Sequence, residues 1–294
     1  MTSEASGRDN LIGAVWMVLA MAVFAVEDSL VKFAAQTLPV GQIMIAFGIG
    51  GAVVFACIAR GRGEPLFIPD VVSLPMRVRV GFEITGRLFY FLAVALIPLS
   101  TATVILQATP LVVVASAAIV FGERVGWRRW AAILIGLAGV LIILRPGADG
   151  FSGLSILAVI GMLGFAGRDL ASRAAPASLS PTILGLYGFL SVVVAGALFS
   201  IWDGRAYAVP DLGTSISLIA AIGAGAFAYT CLMTAMRTGD VSAVTPFRYT
   251  RLIFGVAVGV LVFGEKLDAA MVIGSALIVV SGLFILWRGT SKRG

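Results

Sequence analysis

The chain has 294 residues, 60% of them hydrophobic and only 12% charged, with a formal net charge of +6 and a mean hydropathy of +1.05. That much apolar matter exceeds what a soluble domain carries and places the chain in a bilayer, while the Lys and Arg are not gathered into a basic domain that would bind nucleic acid. Histidine is absent, and no HExxH, GxSxG or paired-cysteine motif is present, so a membrane enzyme would lack its base, nucleophile or metal set.

The opening segment MTSEASGRDN is short and polar, and no small-residue cleavage site follows it, so a retained cytoplasmic tail is expected. A bilayer core about 30 Å thick needs roughly 20 apolar residues per helix. Ten runs meet that length, near residues 11–35, 40–59, 78–97, 100–121, 128–145, 152–171, 182–202, 214–236, 242–263 and 268–287. Turn residues separate them: Leu38-Pro39, Pro98 to Ser100, Arg145-Pro146-Gly147, Ser180-Pro181, Asp203-Gly204 and Gly239-Asp240. Arg60 to Arg79 is the one loop of substance. Cys57 and Cys231 fall inside apolar runs, where a free thiol acts as a small hydrophobe, so neither a disulfide nor a metal site is expected.

The stretch Ile119 to Gly147 returns without a gap, 142 residues later, as Leu261 to Gly289, with Val120-Phe121-Gly122-Glu123 matching Val262-Phe263-Gly264-Glu265. A repeat at half the chain length implies one unit used twice, residues 11–147 and 151–289. With the N-terminus inside, thirteen Lys and Arg fall on inner loops and ends, and only Arg145, Arg205 and Lys266 fall outside. Five helices separate the two copies, so the second inserts upside down. The expected fold is all-α integral membrane, ten transmembrane helices as two inverted five-helix repeats, with both termini cytoplasmic. Glu123 and Glu265 are expected to shape helix turns and not to bind substrate.

Ten helices in two such halves, with FGERVGWRRWAAILIGLAGVLIILRPG closing the first and PFRYTRLIFGVAVGVLVFGE in the second, resemble the drug/metabolite transporter superfamily, EamA type. Asp28 to Lys32, Pro39-Val40-Gly41-Gln42 and Pro246 to Thr250 are similar to a branch with riboflavin and S-adenosylmethionine importers. The resemblance implies secondary transport of a small metabolite across the cell inner membrane, riboflavin uptake first, with S-adenosylmethionine uptake or metabolite efflux as alternatives. Many members carry an Arg shortly after that Gly-Gln, whereas Ile43 to Gly51 holds no charge here, so an anionic substrate does not carry over from them. The expected partners are the small-molecule substrate and the lipid bilayer; no cofactor is implied, and a homodimer stays open.

Nine ionisable residues lie within the runs, each costing about 2.5–3.5 kcal/mol at a helix centre. Glu83 with Arg87, and Asp28 with Lys32, stand four apart and share a helix face, as structural pairs or as parts of a pathway. Glu27 lies off the Asp28 face with no evident partner, and Arg168 and Asp169 recur on the repeat-equivalent helix. Glu27, Asp28, Lys32, Arg168 and Asp169 are the candidates for coupling or a charge network. Candidates for the substrate are Gln107, Arg248, Tyr249, Arg251, Tyr229, Glu83 and Arg87. Arg248 and Arg251 share a face and suit phosphate, carboxylate or a planar ring, or else anchor their helix at the headgroups. Gln107 offers donor and acceptor together, and Pro110 frees a backbone carbonyl. Phe89, Tyr90, Phe91, Phe227 and Tyr229 suit stacking or packing.

Overall fold

The computed structural model describes residues 7–120, 126–144, 153–176, 178–238 and 244–290. The expected Glu123 turn, the joints at Arg145 to Gly147 and Gly239-Asp240, and the first six residues of the expected N-terminal tail lie outside the described residues, whereas Gly7 to Asn10 of that tail already belong to the first helix.

Within those residues the chain is helical. The α-helices are α1 (Gly7–Ala34), α2 (Val40–Gly61), α3 (Leu74–Leu96), α4 (Leu99–Leu106), α5 (Thr109–Val120), α6 (Trp127–Leu144), α7 (Ser155–Arg173), α8 (Pro181–Asp203), α9 (Leu212–Thr238), α10 (Thr250–Phe263) and α11 (Ala269–Thr290). Seven helical segments are long and apolar enough to cross a membrane, α4 with α5 counting as one and α10 joined by the 3-10 turn Thr245–Tyr249 before it. The apolar stretches of α6 and α11 are shorter, Trp130–Leu144 and Ala269–Ile285. Helix α3 has the length but carries Arg77, Arg79, Glu83 and Arg87. Together these are the ten membrane helices of the two repeats.

Two features depart from the hydropathy runs. The fourth run is interrupted, α4 ending at Leu106 and α5 beginning at Thr109, because Pro110 has no N–H to continue the ladder onto the Leu106 carbonyl. The loop after α2 is shorter than expected, since α3 starts at Leu74, and Arg79 is a buried helical residue, not a loop residue.

Helix ends follow from local chemistry. Ser180 caps α8 by accepting from the Ile183 N–H at 3.2 Å, with Pro181 in the first turn. Gly204 (φ 66°) ends α8 and Gly264 (φ 64°) ends α10, both left-handed and therefore suited to glycine.

The helices form two compact units. One comprises Met1–Ala25, Pro98–Ile156 and Phe227–Gly294, the other Val26–Ile97 and Leu157–Ala226, so each draws on both halves of the sequence. In the second unit α2 lies along α8; in the first α6 lies along α11 and α4 along α10. These are pairs of repeat-equivalent helices, as expected of an internally duplicated chain. Small residues allow the approach: a Cβ on Gly48 would sit 2.8 Å from the Val193 nitrogen, and one on Gly139 would sit 2.7 Å from the Gly274 oxygen. Outward side chains such as Val53, Leu134, Ile219 and Leu261 are large and exposed, which suits lipid and would be a liability in water.

Candidate functional site

In the second unit the buried ionisable residues converge on Glu83. It sits midway along α3, 2% exposed, with Arg79 one turn before it and Arg87 one turn after it. Glu83 Oε2 faces Arg79 Nη2 at 3.4 Å; Oε1 accepts from Arg87 Nε at 3.3 Å and from Arg168 Nη1 at 3.4 Å. Arg168 also donates to its neighbour Asp169 through Nε (2.9 Å) and Nη2 (2.7 Å). Arg87 Nη1 lies 3.9 Å from Glu27 Oε1. Three guanidinium groups thus face three carboxylates, Glu27, Glu83 and Asp169, a balance that makes the burial of Glu27, Arg79 and Glu83 and the partial burial of the other three tolerable.

Glu27 therefore has a charged neighbour, contrary to the sequence expectation, because that neighbour lies on another helix. A Cβ on Gly225 would sit 3.2 Å from the Glu27 carboxyl carbon, so a glycine leaves it room. Asp28 Oδ2 accepts from the Tyr90 hydroxyl at 2.9 Å, and Lys32 Nζ donates to the Val94 and Ile97 carbonyls at 3.2 and 2.6 Å. Lys32 thereby neutralises the carbonyl end of α3, where a cation is favourable. Tyr90, expected to stack or pack, does neither alone, since its hydroxyl is a buried donor.

Arg79 is not among the candidates that the sequence offers. It is 4% exposed, Nε donates to Ser172 Oγ at 3.0 Å and Nη2 to the Leu184 carbonyl at 3.4 Å. Its Nη1 finds no hydrogen-bond partner among the described residues. The signal available was its spacing, four before Glu83 as Glu83 is four before Arg87.

In the first unit the candidates gather at two helix interruptions. The fourth crossing breaks at Gln107-Ala108, and the ninth changes from 3-10 to α at Tyr249-Thr250. Gln107 and Tyr249 are 142 residues apart, so the interruptions fall on equivalent positions of the repeat. Gln107, 7% exposed, donates through Nε2 to the Arg248 carbonyl at 3.0 Å and so ties one interruption to the other. The Leu106 carbonyl released by Pro110 accepts from Thr109 Oγ1 at 2.5 Å, so it is satisfied within the chain, contrary to the expectation of a carbonyl freed for a ligand. Arg251 on α10 lies over the Phe24 ring at 4.9 Å. Arg248 and Tyr229 are half-buried. Tyr249 is 6% exposed, and its hydroxyl has no hydrogen-bond partner among the described residues. A Cβ on Gly282 would overlap that hydroxyl, so the ring lies against α11 and depends on glycine there.

Glu265 clasps the start of this fourth crossing. Its carboxylate accepts from the Leu99 N–H (2.6 Å), the Ser100 N–H (2.9 Å) and the Ser100 hydroxyl (2.6 Å), capping α4 from a distant part of the chain.

A cavity of about 330 Å³ also opens in the second unit, lined by Ala35 to Pro39, Arg205, Ala206 and Ala208. None of the predicted site residues lines it. Beside it Gln42 bonds the Ala208 backbone twice, Nε2 to the carbonyl at 2.7 Å and Oε1 from the N–H at 3.0 Å, which gives Gln42 a structural task. No group of three or more metal-ligating side chains occurs among the described residues.

Comparison with known proteins places these features in a family. The model of the EamA-like transporter family matches residues 11–145 and again 153–287. The chain is 28% identical to a riboflavin transporter of Vibrio cholerae, over 96% of this chain and 95% of the relative. It is 29% identical to a pseudopaline exporter of Pseudomonas aeruginosa (92% and 94% covered) and 22% identical to an S-adenosylmethionine uptake transporter of Rickettsia prowazekii (95% and 94%). A crystal structure matches with a TM-score of 0.65 at 22% identity, covering 95% of this chain and 98% of that chain, a likeness of fold. Matched twice along nearly its whole length, the chain belongs to the EamA-like transporter family, multi-pass membrane proteins that move solutes and are not enzymes.

Proposed function

We propose that the chain is a secondary transporter that takes up riboflavin across the inner membrane by alternating access, with both termini cytoplasmic and the repeats 11–147 and 151–289 inserted in opposite senses. The observation that carries the reading is the pair of repeat-equivalent helix interruptions tied together by Gln107. Interrupted membrane helices are where transporters of this general construction hold their solutes. Gln107, Arg248 and Arg251 are the proposed solute contacts, with Tyr229 a further candidate and Tyr249 packed against Gly282 of α11. An uncharged ring system suits an amide that both donates and accepts and a guanidinium plane that stacks. The identity of the solute is supported by relatives named riboflavin transporters in Vibrio cholerae and, at 26% identity, in Rhizobium johnstonii.

A second reading is favoured by one observation: Arg248 and Arg251 put two cations at the same interruption. A solute bearing a carboxylate, moved in either direction, would use them as counter-ions. Saturable uptake of labelled riboflavin into cells that can neither make nor otherwise import it tests the first reading. Competition of that uptake by unlabelled carboxylate-bearing metabolites, or their efflux in place of it, distinguishes the second.

A further inference from the structure

We propose that Phe165 is the positioning residue that holds Arg87 and Arg168 together on Glu83, and that transport depends on its aromatic face; the second part rests on the transport reading above.

Two guanidinium groups belong to one ring. The Cζ of Arg168 lies 4.7 Å, and that of Arg87 5.7 Å, from the centre of the Phe165 ring. Both arginines also reach the same oxygen, Glu83 Oε1. Like charges brought this close and largely out of water repel, and one shared carboxylate oxygen at 3.3–3.4 Å is a longer contact than the roughly 2.7–2.9 Å of a strong charge-assisted bond. The negative face of an aromatic ring adds to the pull of Asp169 on Arg168 and of Glu27 on Arg87, and it does so over an area that both cations can share.

The ring is itself fixed. Phe165 is 7% exposed and meets the Tyr90 ring edge to face at 5.8 Å, while the Tyr90 hydroxyl is anchored on Asp28. Its backbone is pressed against α3: a Cβ on Gly86 would stand 3.0 Å from the Phe165 nitrogen, and a Cβ on Gly164 would overlap the Gly86 backbone. Gly86 precedes Arg87, and Phe165 is three residues before Arg168. The glycine contact between α3 and α7 therefore delivers both arginines to the same ring. Leucine would fill nearly the same volume and present no such face.

Two measurements test this. The first needs no solute: thermal unfolding of the purified full chain in detergent, for Phe165→Leu, Arg168→Gln and the double variant. The proposal expects the loss of Tm caused by Phe165→Leu to shrink by at least about half once Arg168 is neutral; additive losses overturn the positioning role. If Phe165→Leu cannot be purified, Phe165→Met takes its place, since it too keeps bulk and lacks a ring. The second is uptake at matched membrane expression. Phe165→Leu should raise the apparent KM about tenfold and Phe165→Tyr should recover most of that. A coupled unfolding cycle with unchanged KM in a parent that transports overturns the role in transport. A parent that takes up no riboflavin defeats the solute assignment, and the unfolding cycle then decides the positioning claim by itself.

Discussion

The carboxylate of Glu265 accepts three hydrogen bonds from Leu99 and Ser100, two from backbone N–H groups and one from the Ser100 hydroxyl. Leu99 and Ser100 are fully buried, so their N–H groups at the start of α4 have no recourse to water. A Glu at the repeated Phe-Gly-Glu turn is thus a helix cap supplied from 165 residues away, and Gly259 stays a glycine because a Cβ there would overlap the carboxylate.

Removing that cap should cost stability before it costs recognition. Glu265→Ala leaves two buried donors unpaired, a loss of about 2–4 kcal/mol, and folded protein recovered from membranes should fall while the apparent KM of the remainder changes less than threefold or so. Wild-type yield with abolished transport would mean that Glu265 touches the solute.

Glu83→Gln should be more damaging than any change at the surface, because it leaves three arginines around an uncharged amide. A loss of about 3–5 kcal/mol is expected from breaking a buried ionic group on one side only, read as a fall in Tm of the purified protein. Arg79→Met, which removes one cation and the unpaired Nη1 together, should partly restore the Glu83→Gln variant. No restoration would show that Arg79 is not part of the same network.

Asp211 supplies a pH-dependent test outside the membrane helices. It accepts from the Thr214 N–H at 2.6 Å at the start of α9, and that backbone bond, with the Thr214 side chain next, holds its carboxyl below the usual carboxylate range. A lowered pKa means that the folded state favours the ionised form, so the contribution is full above the ordinary carboxylate pKa. It disappears as pH falls through the lowered value. The Tm difference between the parent and Asp211→Ala should be constant around neutrality and close in acid; a difference that widens in acid would contradict the cap.

Topology can be read with reporter fusions. With Arg79 set aside as a buried residue of α3, twelve Lys and Arg on one side against three on the other predict that fusions at the C-terminus and within the 62–73 loop are active only as cytoplasmic reporters, and fusions near Arg205 only as external ones. A C-terminal reporter active only outside would remove the opposite insertion of the two repeats.

The helices are legible because ten apolar runs of membrane length leave little choice of structure, with Pro39, Pro98 and Pro181 marking where helices begin and Gly204 where one ends. The interruption of the fourth crossing was half legible: Pro110 announced it, but the Thr109 hydroxyl that takes up the Leu106 carbonyl is a matter of rotamer and not of composition. Partners far apart in the chain were not legible. Glu27 meets Arg87 and Gln107 meets the Arg248 carbonyl only because particular helices pack, and no local pattern encodes which ones do. Arg79 reads as a loop residue because α3 begins in a stretch that carries Arg77 and Arg79 close together. The role of Phe165 is not legible, since one phenylalanine in a membrane helix reads as packing, and the two cations on it come from different helices.

The most direct test is uptake of labelled riboflavin by cells that neither synthesise it nor carry another importer, comparing the parent with Gln107→Ala and Arg251→Gln at matched membrane expression. The account predicts saturable uptake by the parent and a rise in apparent KM of roughly tenfold to a hundredfold in at least one variant, the effect of losing one buried hydrogen bond or stacking partner. Saturable uptake with both variants at the parent's KM would contradict the proposed site, and no uptake by the parent would contradict riboflavin as the solute.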